Sequence, residues 1–356
     1  MKIVQLLPTM SFGDAIGNDT LAIRDFILEQ GYETGIYAEG IDPRLPTGTA
    51  LPYDKMPALK RDDILIYHAS TGSALNTKLM SMGGRKVMIY HNITPPHFFE
   101  PYSSTATALT RRGYREIRGL AESIEHCMAD SAYNREDLRK MGYRCPIDVC
   151  PILIPFEDYQ KEPDEEILQE YQGDGWTNLL FVGRIAPNKC QQDVIRAFYA
   201  YQKLHNPKSR LFLVGSSGGM EKYENQLRDY VKLLGIEDKV IFPGHIKFSA
   251  ILAYYRLADV FVCMSEHEGF CVPVVEAMYF RKPIVAYASS AIPETMGKGG
   301  LLLYSKDPLI AAEAINRVIV DSNLRDYILS RQEEELKRFQ YDAVKAKFIE
   351  CLNKVH

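Results

Sequence analysis

Ser265-Glu266-His267-Glu268-Gly269-Phe270-Cys271-Val272-Pro273-Val274-Val275-Glu276 is the stretch that decides how the second half of this chain folds. Ahead of it, Asp259-Val260-Phe261-Val262-Cys263-Met264 is a continuous apolar run of strand length. Behind the turn, Pro273 suits the start of a helix, where a missing amide costs nothing. A buried strand therefore hands over to a helix through a small-residue turn, with Glu268 on the rim loop and Glu276 one step deeper, within about the first helical turn. Open parallel sheets bind ligands at the carboxyl ends of their strands, and the free amides of a helix start attract anions. Two carboxylates in such a place suit a ligand rich in hydroxyls and phosphate. The plainer alternative is a surface Glu followed by a helix-start Glu favoured by the macrodipole.

Working outward, the 356 residues exceed one ordinary core and fit two α/β domains of similar size. Hydrophobic content is 46%, ample for burial, and the formal net charge of −4, from 42 basic and 46 acidic residues, favours no nucleic-acid partner. Seven cysteines form an odd set with no CxxC pair and no His at metal spacing. They read as thiols of a reducing cytosol, serving mainly as small apolar residues. Met1 to Pro8 has too short an apolar run for a signal peptide and reads as a first buried strand. No segment approaches the roughly 18 uninterrupted apolar residues of a membrane span, so a soluble or peripheral cytoplasmic protein is expected.

Strand-like and helix-like runs alternate from end to end, the pattern of parallel sheets covered by helices. Strands are expected at 2–7, 34–38, 63–67, 86–90, 126–129 and 147–152, then at 178–182, 210–214, 239–242, 259–264, 283–286 and 301–303. A helix over about 19–29 should stop at Gly31, a natural C-cap. The proline- and acid-rich run from Pro151 to Asp164 reads as the interdomain linker. The last amphipathic helix places Val344, Phe348, Cys351 and Leu352 on one face.

Leu179-Leu180-Phe181-Val182-Gly183-Arg184-Ile185-Ala186-Pro187-Asn188-Lys189 is a buried strand, a glycine turn and two cations before a helix. Cations at that end oppose the macrodipole, which argues for an anionic ligand over a merely solvated pair. No Asp-x-Asp pair occurs in the chain, so Arg184 as a fork and Lys189 as a point charge are expected to replace a metal opposite a diphosphate.

The Glu268 and Glu276 spacing, with Gly269 and Phe270 between, resembles the signature of family 4 of the retaining, nucleotide-sugar-dependent glycosyltransferases. The resemblance covers essentially the whole chain, with its specific motifs concentrated in the second half. It implies a GT-B fold: two Rossmann-like, doubly wound α/β domains facing a cleft, with the last helix crossing back to the first domain. The expected division is 1–157, completed by 340–356, as acceptor domain and 158–339 as nucleotide-sugar donor domain. The resemblance further implies that Glu268 touches the donor sugar, that Glu276 holds the ribose diol, and that 179–189 is a phosphate-binding loop. The turn residues Gly269, Phe270, Cys271 and Val272 belong to the same donor site.

Gly13-Asp14-Ala15-Ile16-Gly17-Asn18 lacks the GxGxxG fingerprint and could be an ordinary strand–helix turn. By resemblance it faces the donor diphosphate, with Gly17 allowing close backbone approach. Gly215 and Gly244 lie in glycine turns after strands, and His245 and Ile246 are placed by resemblance against the nucleobase. His91 follows the strand 86–90; a lone His there can simply partner a backbone carbonyl, but the family commonly sets a His here against the donor sugar. The cluster Arg111, Arg112, Arg115 and Arg118 suits a lipid phosphate or the inner membrane surface, and equally a solvated helix face. The aromatic run Pro95 to Tyr102 could wall the acceptor or simply cover the first domain.

The expectation is therefore a retaining glycosyltransferase that moves a hexose from a UDP- or GDP-sugar to a glycan or lipid-linked acceptor. No metal or other cofactor is expected, and the substitution proceeds on one face. A sugar-nucleotide epimerase and a non-catalytic nucleotide-binding scaffold are the alternatives.

Overall fold

The computed structural model describes residues 1–355. The chain divides into two compact units, one of residues 1–97, 105–155 and 339–356 and one of residues 98–104 and 156–338.

The first unit carries a parallel seven-stranded sheet of order β3-β2-β1-β4-β5-β6-β7. Its strands are β1 (Lys2–Met10), β2 (Glu33–Ile41), β3 (Leu51–Pro52), β4 (Ile64–Ala69), β5 (Arg85–Tyr90), β6 (His126–Ala129) and β7 (Ile147–Val149). β1 pairs with β2 on one side and β4 on the other, so the order of the chain reverses between β1 and β4. Both faces are buried, which is why the strands read as near-continuous apolar runs rather than alternating ones. The helix Tyr341–Asn353 closes one face: Val344, Phe348, Cys351 and Leu352 pack with Ile3, Ile64, Ile66 and Val87.

The second unit repeats the plan with a parallel six-stranded sheet of order β10-β9-β8-β11-β12-β13. These strands are β8 (Thr177–Val182), β9 (Ser209–Val214), β10 (Val240–Gly244), β11 (Val260–Cys263), β12 (Ile284–Tyr287) and β13 (Leu301–Leu303). The order reverses between β8 and β11, whose Leu179 and Leu180 lie opposite Val260 and Phe261. In doubly wound sheets that reversal opens a crevice at the strands' carboxyl ends.

Several expected boundaries move. The first helix runs Ala15–Glu29, four residues earlier than expected, because Asp14 caps it by accepting the Gly17 amide at 2.6 Å. Gly17 thus lies inside the first helical turn rather than in a loop. It is still needed there, since a Cβ would stand 2.6 Å from the Ser11 carbonyl oxygen. The expected strand 147–152 stops at Val149, and the short β3 on the sheet edge carried too little apolar pattern to be read. Phe98–Ser104, expected in the first domain, groups with the second unit. Tyr102 meets the Tyr223 ring edge-on at 5.1 Å, and the Pro101 carbonyl accepts Lys222 Nζ at 2.6 Å.

Candidate active site

In the second unit, the turn after β11 is pinned from both sides of the switch point. Asn188, in the loop after β8, donates from Nδ2 to the His267 carbonyl at 3.0 Å and accepts the Glu266 amide on its own carbonyl at 2.9 Å. From the loop after β12, Ser289 Oγ donates to the Ser265 carbonyl at 2.6 Å, and Ser290 Oγ accepts the Glu268 amide at 2.8 Å. Thr295 Oγ1 donates to the Phe270 carbonyl at 2.6 Å. Three separate segments therefore set the position of one turn.

On this frame Lys189 Nζ donates to Glu268 Oε2, with the two side chains 21% and 8% exposed. Glu268 is buried rather than on an open rim, because the cation it needs arrives from the neighbouring loop. Burial works against the ammonium of Lys189, but the charge and hydrogen bond of Glu268 oppose it and the Lys189 pKa is raised. Arg184 stands apart from this pair: it is exposed, and Nη2 donates to the Gly218 carbonyl at 2.9 Å. Gly215 makes the crossing of these loops possible, since at φ +155° a Cβ would lie 1.9 Å from the Gly183 oxygen.

The helix Val272–Tyr279 begins after Cys271, which takes a left-handed φ of 78° as its N-cap. No side chain caps this start, and Pro273 occupies the first turn. Gly269 and Val272 are half-buried beside the buried Phe270 and Cys271. Glu276 falls in the second helical turn, not the first, and is half-buried. Its two oxygens accept phenols, Oε1 from Tyr159 at 3.0 Å and Oε2 from Tyr255 at 2.7 Å. Burial raises its pKa while both phenols pull it down. Near the edge strand β10, His245 is exposed and Ile246 packs partly against the core.

In the first unit a chain of buried side chains runs from the middle of β1 through β4 to the residues just after β5 and β6. Gln5 Nε2 donates to the Thr20 carbonyl at 3.0 Å, which turns Gln5 Oε1 toward His68 Nε2 at 2.9 Å. His68 Nε2 must therefore carry the proton. Burial, reinforced by His91, holds the His68 pKa well below the usual value, so its Nδ1 is a bare acceptor. His91 Nε2 lies 2.9 Å from that nitrogen and must donate to it. The remaining His91 nitrogen, Nδ1, is 3.0 Å from Asp130 Oδ2. Burial disfavours a charged His91, but Asp130, with Asp19 and Asp14 behind it, outweighs burial and raises its pKa. His91 and Asp130 thus form a buried pair in which the Asp130 carboxyl favours a protonated ring. Both nitrogens of His91 are engaged inside the first unit and its side chain is 1% exposed, so neither meets a sugar without rearrangement.

The fold also gathers metal-type donors that the sequence spacing did not suggest. Asp19 with His68 and His91, Cys263 with Glu268 and Cys271, and Cys190 with Asp193 and Glu266 each bring ligand atoms within 4.8 Å of one another. Each group already has an internal partner. The histidines are consumed by the relay, Lys189 sits on Glu268, and Lys306 Nζ bridges Asp193 at 2.9 Å and Glu266 at 2.7 Å.

The arginine-rich helix Ser104–Gly119 divides its charges. Arg112 Nε donates to Glu116 Oε1 at 2.5 Å, and Glu116 in turn accepts Asn76 Nδ2 at 2.8 Å, a structural use. Arg111, Arg115 and Arg118 are exposed. Among the described residues no helix is long and apolar enough to cross a membrane.

Comparison with known proteins agrees with this architecture. Residues 165–334 match the family model for glycosyl transferases group 1. That stretch of the second unit is therefore similar to this family, and the chain as a whole has the GT-B fold. An uncharacterized glycosyltransferase of Methanocaldococcus jannaschii is 30% identical over 169 residues, 47% of this chain and 42% of that one. Mannosylfructose-phosphate synthase of Agrobacterium fabrum is 34% identical over 134 residues, 36% of this chain and 29% of that one. The chain spans less than half the length of either relative. Among solved structures, Anabaena HepE in complex with UDP-glucose superimposes with a TM-score of 0.77 at 18% identity, covering 99% of this chain and 100% of that one.

Proposed function

We propose that the protein is a retaining glycosyltransferase that moves a hexose from a UDP- or GDP-sugar to a glycan or lipid-linked acceptor without a metal. The observation that carries this reading is the Lys189–Glu268 pair at the switch point between β8 and β11, beside a helix start that no side chain caps. A nucleoside diphosphate leaving group needs fixed positive charge, which Lys189, Arg184 and the first-turn amides of Val272–Tyr279 supply. Glu268 orients the hexose hydroxyls, and Glu276 accepts the ribose diol. The bond from the anomeric carbon to phosphate oxygen breaks while the acceptor oxygen bonds to that carbon on the same face. The acceptor's proton passes to the departing phosphate oxygen, so no side-chain nucleophile is required. HepE, a neighbour in fold, is held with UDP-glucose, which supports a nucleotide-sugar ligand. The exposed Arg111, Arg115 and Arg118 suit an acceptor carrying phosphate or contact with an anionic membrane surface.

The test is incubation with UDP- and GDP-hexoses and a set of glycan and lipid-linked acceptors, in chelator, with the product's anomeric configuration read by NMR. Retention in chelator is expected. Inversion, or activity restored only by magnesium, would overturn the mechanism, and a converted sugar nucleotide without acceptor would identify an epimerase instead.

A further inference from the structure

The ribose carboxylate of the proposed donor site is held by residues that no motif contains. Glu276 Oε1 accepts the Tyr159 hydroxyl at 3.0 Å and Oε2 accepts the Tyr255 hydroxyl at 2.7 Å. Tyr255 lies on the helix Phe248–Leu257 and is 1% exposed; Tyr159 lies in the single turn Phe156–Gln160 and is 5% exposed. An ionised carboxylate has about four lone-pair sites, two on each oxygen. One phenol on each oxygen leaves one acceptor site per oxygen, the pattern that a vicinal diol fills with two donors.

The phenols are fixed by packing as well as by hydrogen bonds. The Tyr159 ring is 5.2 Å from that of Tyr279, 5.7 Å from Phe280 and 5.9 Å from Phe248. Phe156 stacks on Tyr279 at 5.2 Å, and Tyr255 on Phe280 at 4.9 Å. Phe156 is also the first residue of the second unit after the chain leaves the first at Pro155. The turn that opens the second unit is therefore anchored to the same carboxylate as the nucleoside. Burial and the neighbouring carboxylate raise both phenol pKa values, so each hydroxyl is a donor toward Glu276; the Tyr255 hydroxyl also lies 3.3 Å from the Pro273 carbonyl, the longer of its two contacts.

We propose that Tyr159 and Tyr255 are positioning residues of the nucleoside subsite, orienting Glu276 so that its two remaining acceptor sites meet the 2′ and 3′ hydroxyls of the ribose. The inference rests on the glycosyltransferase reading and extends its donor site to the chain segment that joins the two units. It makes recognition of the ribose diol depend on a hydroxyl 117 residues away in sequence.

The experiment is calorimetric titration of wild type, Tyr159→Phe and Tyr255→Phe with UDP and GDP and with their 2′,3′-dideoxy counterparts. Phenylalanine keeps the ring packing, and thermal unfolding checks that each variant is folded. Each variant should bind the ribonucleotide about tenfold more weakly, the value of one hydrogen bond to a charged group, while its affinity for the dideoxy nucleotide matches wild type. Equal weakening of both ligands would make the tyrosines merely structural and overturn the proposal. Tighter ribonucleotide binding by Tyr159→Phe would also overturn it, by showing that the phenol occupies the place of the diol. A wild type that binds neither diphosphate removes the glycosyltransferase reading itself, whereas selective wild-type binding with unchanged variants removes only the role of the tyrosines.

Discussion

Replacing Lys189 by Met separates two jobs that one ammonium performs. The first is electrostatic support of Glu268, which is 8% exposed and whose carboxylate would be left buried without its cation. Breaking a buried pair from one side costs about 3–5 kcal/mol, and since Lys189 is itself 21% exposed the lower end, about 3 kcal/mol, is expected. The second job is stabilising charge on the leaving diphosphate, where loss of one fixed group lowers turnover about 10²–10³-fold. Lys189→Met combined with Glu268→Gln removes the stranded carboxylate and should recover most of the stability. It should not recover turnover, because the phosphate still lacks its cation. Urea unfolding gives the stability of wild type, both single variants and the double variant; initial rates with a saturating nucleotide-sugar give turnover. If the double variant regained turnover along with stability, Lys189 would act only as a brace for Glu268, and the charge-compensation argument would fall.

Three further outcomes follow from particular contacts. Burial pushes the Asp19 carboxyl from 3.8 up to about 7, opposed by His91 and by the Leu153 amide it accepts at 2.8 Å. The native state then holds a proton that the unfolded chain releases near pH 4, so this group's contribution is present below that pH and is lost as pH rises toward 7. At 1.36 kcal/mol per pH unit the loss is at most about 4 kcal/mol, and Asp19→Asn, which keeps an acceptor for Leu153, should flatten the curve between pH 4.5 and 8. Identical stability–pH slopes in the two proteins would sink this assignment. Nitrogen NMR of labelled histidine near neutral pH should show His91 protonated on both ring nitrogens and His68 as the neutral Nε2–H form; a neutral His91 would break the relay as drawn. Gly215→Ala should destabilise the second unit by about 3 kcal/mol or more in urea unfolding, because its Cβ would lie 1.9 Å from the Gly183 oxygen, and a near-neutral result would contradict the loop crossing.

The amino-acid sequence by itself determined the alternation of buried strands and helices, and with it two parallel sheets, because each strand is covered on both faces and must be apolar along its length. It also located Arg184, Lys189 and Glu268 in the loops after strands and Glu276 on the helix that follows, since strand, turn and helix signals are local. Tertiary structure alone decided what those residues touch. Lys189 and Glu268 are 79 residues apart and meet only because β8 and β11 are neighbours at the point where strand order reverses. Tyr159 and Tyr255 reach Glu276 from separate segments, and the His91 ring is held between His68, itself set by Gln5, and Asp130, which lie on three different strands or their ends. Local patterning encodes which face of an element is buried, whereas protonation and hydrogen-bond partners depend on side chains that converge from distant parts of the chain, where burial removes water and leaves each polar group only the neighbours the fold supplies.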